Sequence, residues 1–201
     1  MSQAPTREVA RRVFAREFND ASHTFKESDD ERAPVYLLLP TGERANRVFL
    51  VGTLTEKEDV GEDDEYWRGR IVDPTGTFFV YAGQYQPDAA STLRDLEPPA
   101  YVSVVGKPRT YETDDGGINV SVRPESITAV DATTRDRWVV EAATRTLERV
   151  AAVDDEGNEY ARMARDEYDL PVADYRETAL AALEGLDETD ELGGDIPPAE
   201  P

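Results

Sequence analysis

The chain has 201 residues, enough for one well-buried domain with appendages. It has no cysteine and a single histidine, His23, which excludes disulfides, thiolate metal sites and cysteine nucleophiles and makes a multi-histidine metal site or a histidine-based triad hard to build. No apolar run reaches bilayer length and the N-terminus lacks the apolar core of a signal peptide, so a cytoplasmic protein with no membrane contact and no cofactor is expected.

The formal net charge is −21, which at first argues against a polyanionic partner. The only lysines are Lys26, Lys57 and Lys107, while arginine is abundant and acidic residues coat the chain. That bias is the one seen in proteins of salt-loving archaea, where molar potassium screens charge over a few ångströms. The distribution says more than the total. Residues 1–65 carry −6, residues 66–137 carry −2, residues 138–150 carry 0 and residues 151–201 carry −13. The centre is nearly neutral inside a very acidic chain, as a binding face on such a protein would be.

In chain order, Thr6 is placed to cap a helix from Arg7 to about Asn19, with Val9, Ala10, Val13, Phe14 and Phe18 as its apolar stripe. Its arginines (Arg7, Arg11, Arg12, Arg16) read as a solvated face, His23 as a surface residue, and residues 28–32 as a charged loop. Residues 34–40 form a short apolar strand. Residues 47–55 form a clear strand in which Gly52 permits a bend or bulge. Residues 56–65 read as an acidic loop.

Residues 66–82 are the centre of the chain: two strands joined by the turn residues Asp73-Pro74-Thr75-Gly76. Alternation divides each strand into two faces. Trp67, Gly69 and Ile71 share one face, as do Phe78, Val80 and Ala82. With Ile71 and Val80 inside, Arg68, Arg70, Phe79 and Tyr81 lie together outside. Guanidinium groups beside exposed rings suit phosphates and stacked bases; a sheet with core aromatics and solubilising arginines is the competing reading. A short helix follows at about residues 88–96, stopped by Pro98-Pro99. A fourth strand spans residues 100–109, a hairpin loop residues 110–117 and a fifth strand residues 118–122, with an apolar return at residues 127–130.

Strand, strand, strand, helix, strand, strand is the order of the OB-fold, a partly open five-stranded barrel. The expected class is therefore mainly β with flanking α: an N-terminal helix and linker (1–33), the OB-fold (34–132), a post-barrel helix (133–153), a small helical C-terminal region (154–186) and a disordered acidic tail (187–201). The post-barrel helix carries a stripe of Trp138, Val139, Ala142, Ala143, Thr146, Leu147 and Val150. It either plugs the barrel or meets other subunits. Trp138, Val139, Ala142, Thr146, Leu147 and Val150 are the expected partner-binding residues.

Residues 51–56, 66–83, 102–111 and 120–125 together resemble the haloarchaeal proteins associated with replication protein A (RPA). The run with Trp67 and Arg68 and the strand Val105-Gly106-Lys107-Pro108-Arg109 are its more specific parts. The resemblance covers roughly residues 1–150 and, more loosely, the helical C-terminus. It implies an OB-fold subunit working with RPA on single-stranded DNA in replication and repair, a possible hetero-oligomer, and a post-barrel helix that contributes to assembly. It places Phe79 at a contacting position of the third strand. Gly83 stands where such domains often carry a stacking aromatic, which shifts stacking to Phe79, Tyr81 and Tyr85.

The expected nucleic-acid-binding residues are thus Arg68, Arg70, Phe79, Tyr81, Tyr85, Lys107, Arg109, Tyr111, Arg123 and, although alternation turns it inward, Trp67. The alternative is a protein–protein assembly module of an RPA complex with little DNA contact. An enzyme is not expected, because the plentiful carboxylates sit in no framework that would bury a pair, and no glycine-rich phosphate loop appears.

Overall fold

Period-2 alternation of apolar residues decides the architecture, and three strands, at residues 48–59, 100–112 and 118–129, run further than the sequence alone indicates. The computed structural model describes residues 7–192, with side chains described through Leu186. Its elements are β1 (Arg11–Arg12), α1 (Ala15–Asp20), β2 (Thr24–Lys26), β3 (Val35–Leu39), β4 (Glu43–Ala45), β5 (Val48–Asp59), β6 (Trp67–Asp73), β7 (Gly76–Ala82), α2 (Pro87–Asp95), β8 (Ala100–Glu112), β9 (Ile118–Ala129), α3 (Ala132–Ala151), α4 (Glu159–Glu167) and α5 (Val172–Leu192).

The larger sheet runs β1-β5-β6-β7-β9-β8, and a further β5–β8 pairing closes five of its strands into a barrel. Only β7–β9 is a parallel pair within that barrel, at Val80 and Val122. With α2 between the third and fourth barrel strands, this is an OB-fold. Leu50, Leu54, Ile71, Phe78, Val80, Val102, Val104 and Val122 fill the interior. Each large side chain so buried contributes roughly 1.5–3 kcal/mol.

Several expectations are corrected. The N-terminal helix is short: Arg11 and Arg12 instead pair in parallel with Val48 and Phe49 on β5, and the Arg11 N–H donates to the Arg47 carbonyl at 2.8 Å. An open sheet edge satisfies backbone groups there, so Val9 is left 69% exposed and only residues 15–20 coil. Thr6 lies outside the described residues. Glu56–Asp59 continue β5 and are not a loop, because Glu56 faces Arg70 and Glu58 faces Arg68 across the ladder. The irregularity in β5 falls between Leu54 and Glu56, not at Gly52. Residues 118–129 are one strand, with a register shift opposite Val105/Gly106, and not a strand plus a separate return. Val35–Leu39 is a strand, but it belongs to a second sheet, β2-β3-β4, outside the barrel.

Two helices cover the barrel. From α1, Phe18 meets Phe78 with ring centroids 5.4 Å apart, and the Asn19 amide donates to the Thr77 carbonyl at 2.7 Å. From α2, Leu93 is fully buried in the same core. The post-barrel helix α3 is capped by Asp131, which accepts from the Thr134 N–H at 2.8 Å, and it packs on the side of the barrel. It lies against β5, with the Trp138 indole donating to the Phe49 carbonyl at 3.0 Å and its ring edge-on to Phe14 at 5.6 Å.

The C-terminal helices are not a unit of their own. α4, capped by Asn158, packs on the second sheet; there Gly42, at φ +87°, comes so close to Ala161 that a Cβ would lie 2.5 Å from its Cα. The Tyr168 hydroxyl accepts from the Ser22 and His23 N–H groups at 3.1 and 3.0 Å and donates to the Leu38 carbonyl at 2.7 Å. His23 is half-buried there, 3.2 Å from Glu167. α5 lies along α3 and buries Tyr175, Ala179 and Ala182. Residues 187–192, expected to be disordered, continue this helix, since extending a formed helix costs little. The rest of the expected tail, residues 193–201, lies outside the described residues.

Candidate nucleic-acid interface

The β6–β7 hairpin is held by one carboxylate. Asp73 Oδ1 accepts from the Thr75 N–H, the Thr75 hydroxyl and the Gly76 N–H at 2.7, 2.8 and 3.0 Å, while Oδ2 accepts from the Ala15 N–H at 2.7 Å. The turn is therefore fixed to the start of α1. Burial pushes the Asp73 carboxyl up, and these four bonds oppose it. With the turn fixed, register follows: Arg68 pairs with Tyr81, Arg70 with Phe79, and the Ile71–Phe78 pair points inward.

The outer face extends beyond the hairpin. Val80 and Val122 are matched and both buried, which puts Tyr81 and Phe79 beside Arg123 and Ser121 of β9. Arg123 is paired with Lys107, and Ser121 with Arg109. Two rows result across four strands: Arg68, Tyr81, Arg123, Lys107, and Arg70, Phe79, Ser121, Arg109. Tyr111 follows on β8, 45% exposed, and its charge adds to burial in raising the Tyr81 hydroxyl while Arg68 lowers it.

The two ends of this band differ electrostatically. Arg68 contacts Glu58 at 2.5 Å; Arg70 lies 3.8 Å from Glu56 and donates to the Thr55 hydroxyl at 3.1 Å. At the other end the side chains of Lys107, Arg109 and Arg123 make no ion pair or hydrogen bond among the described residues. Burial first, then Arg47 beside Lys107 and Arg109 beside Arg123, push these two groups below their ordinary values, and Glu125 opposes the shift in both.

Eight of the ten sequence-nominated residues thus share one surface. Trp67 does not: it is half-buried on the inner side, with Lys57 Nζ 5.7 Å from its ring and its indole nitrogen without a partner. Tyr85 is 85% exposed in the loop after β7 and makes no ring contact among the described residues. Tyr66 was missed. Its ring stacks on Tyr81 at 5.7 Å and lies over Gly83, where a Cβ would come 2.7 Å from Tyr66 Cδ2. The Tyr66 ring thus fills the space beside Gly83 from the residue just before β6, and the 66-68-70 alternation is the signal that would have found it. The Tyr66 N–H donates to Asp59 at 3.0 Å, which with the Gly61 N–H holds the Asp59 carboxyl below the usual range.

The six residues expected to meet a partner are engaged within the chain. Trp138, Val139, Ala142 and Thr146 are buried against β5, Phe14 and α5, and Leu147 and Val150 are half-buried. At the end of the helix Arg149 Nη2 donates to Glu17 at 2.7 Å and Nε to the Thr41 hydroxyl at 2.8 Å, tying α3 to α1 and the second sheet. This stripe is not an open surface. Among the described residues no helix is long and apolar enough to cross a membrane.

Fold and site define an OB-fold chain with an arginine–aromatic face. No family model and no curated protein matches the sequence. Among solved structures, the second single-stranded DNA-binding protein of Mycobacterium smegmatis is 20% identical, covering 44% of this chain and 89% of its own at a TM-score of 0.37. Rim1, a mitochondrial single-stranded DNA-binding protein of S. cerevisiae, is 21% identical, covering 43% and 94% at 0.34. The OBody AM2EP06, solved bound to hen egg-white lysozyme, is 15% identical, covering 42% and 80% at 0.35. Overlap of that extent defines neither a family nor a ligand.

Proposed function

We propose that this chain is a non-catalytic, single-stranded DNA-binding OB-fold subunit, acting with replication protein A in replication and repair. The observation that carries the DNA-binding part is the band itself. Phe79, Tyr81 and Tyr66 offer rings to bases, Arg68, Arg70, Arg109, Arg123 and Lys107 flank them, and the hairpin that presents them is fixed by Asp73. Stacking contributes roughly 1–3 kcal/mol per base and tolerates any sequence. It also survives high salt, where counterion release yields little. The glutamates on Arg68 and Arg70 are a small obstacle, since an exposed pair is worth about 0–1 kcal/mol. The partnership with replication protein A and a hetero-oligomeric state rest on the sequence resemblance alone. The assembly-module reading, which also draws on the acidic stretch at residues 56–65 and the acidic C-terminal third, keeps less support from the α3 stripe, because Trp138, Val139, Ala142 and Thr146 are buried by the chain itself.

The test is fluorescence anisotropy of labelled oligo-dT titrated with the whole chain in multimolar KCl. Saturable binding at micromolar concentration or tighter is expected, weakened by roughly 1–3 kcal/mol or more in Arg68→Ala/Tyr81→Ala. Unchanged affinity in a folded double variant overturns the reading.

A further inference from the structure

A cleft of about 750 Å³ opens beside the unpaired end of the band. Lys107 and Arg109 of β8 and Arg123 of β9 line the barrel side; Arg7 of the N-terminal segment, Arg32 before β3 and Arg47 just before β5 line the other. One carboxylate, Glu8, lines the cleft with these six cations and a second, Glu125, lies behind Arg7 and Arg47; both are occupied. Glu8 accepts from the Tyr36 hydroxyl at 2.9 Å. Glu125 takes Arg47 Nε at 2.8 and 3.1 Å and also binds Arg7. Arg32, Lys107, Arg109 and Arg123 are left with no side-chain partner among the described residues. Most other arginines of this acidic chain are paired, as Arg11 is with Glu43, Arg12 with Glu141 and Arg149 with Glu17.

Among the described residues no aromatic ring lines the cleft, so it offers a base no ring to stack on. Arg47, Lys107 and Arg123 are half-buried while Arg7, Arg32 and Arg109 are exposed at its rim; the half-buried cations are screened by salt less, so their field persists in a salt-rich solvent. Resting on the proposed function, we infer that the cleft holds the sugar–phosphate backbone of the strand beyond the stacked bases, a phosphodiester-binding extension that reads no base. Lys107 and Arg123 belong to both surfaces, so a strand crossing the band reaches the cleft without a break.

The test uses a short oligo-dT that spans the band, and the same oligomer extended by abasic deoxyribose-phosphate units, titrated across a KCl series. Wild-type chain is expected to bind the extended strand about tenfold tighter, with a steeper salt dependence of about 0.7 per added phosphate contact. Arg7→Gln/Arg32→Gln lies outside the band and leaves Glu125 bonded to Arg47. It is expected to bind the short oligomer as wild type does and to lose most of the gain; Arg32→Glu should lose it too. No gain from the abasic extension, or a gain that survives in the double variant, overturns the cleft assignment while DNA binding stands. If the short oligomer does not bind, the proposed function falls and an all-abasic strand becomes the probe. Binding of that strand lost in the double variant then upholds the cleft as a phosphodiester site, and no binding overturns it.

Discussion

The outer face of the β6-β7-β9-β8 sheet and the apolar face of α3 look alike in sequence, each a periodic run of large side chains with arginines nearby. In the fold they are opposites. On the sheet, Phe79, Tyr81 and Tyr66 stay half-open with guanidiniums beside them. On the helix, Trp138 and Val139 are buried by the chain's own β5 and α5. A stripe of the correct period states that something covers it, not whether the cover comes from the same molecule. What separates the two is where charge ends up. The helix arginine, Arg149, is buried in an ion pair with Glu17, whereas Arg123 and Lys107 on the sheet form no ion pair among the described residues and feel Glu125 only at a distance.

If that contrast is right, stability and binding separate by face. Trp138→Ala should cost about 3–5 kcal/mol of stability, read as a fall in the denaturant midpoint, while the folded fraction binds oligo-dT unchanged. Loss of DNA affinity there would break the contrast. Phe79→Ala/Tyr81→Ala should do the reverse, lowering affinity by roughly 1–3 kcal/mol per unstacked base at every salt concentration, with the midpoint little moved. Tyr66→Ala should have a smaller effect, about 0.5–1.5 kcal/mol in affinity, because it removes one stacked ring and exposes Gly83. The smallest change should come from Glu56→Gln/Glu58→Gln. Freeing Arg68 and Arg70 is expected to tighten binding by up to about 1 kcal/mol per pair and to steepen its salt dependence, as titrations at several KCl concentrations would show.

The barrel was legible because its strands alternate and its turns carry turn residues; the inside–outside division of Ile71, Phe78 and Val80 follows from sequence alone. The second sheet was not. β2 and β4 have three residues each, too few for a period, and exist because β3 lies between them. The N-terminal stripe fits a helix by spacing, yet the edge of β5 claims Arg11 and Arg12, a pairing no local pattern records. For the site, alternation located the hairpin residues and could have located Tyr66. The cleft cations Arg7, Arg32 and Arg47 lie far in sequence from Lys107 and Arg123, and only tertiary packing brings them together.

Asp73 has a consequence for how this barrel can be handled as a piece of protein. The carboxylate that shapes the hairpin turn also receives the first N–H of α1, whose Phe18 closes the core under Phe78. A cassette cut at residues 34–132 would keep all five barrel strands and yet leave one oxygen of a buried carboxylate bare and an aromatic core open at one end. The portable unit begins near Arg11, so grafting, truncation or fusion at the N-terminal side has to carry those residues along.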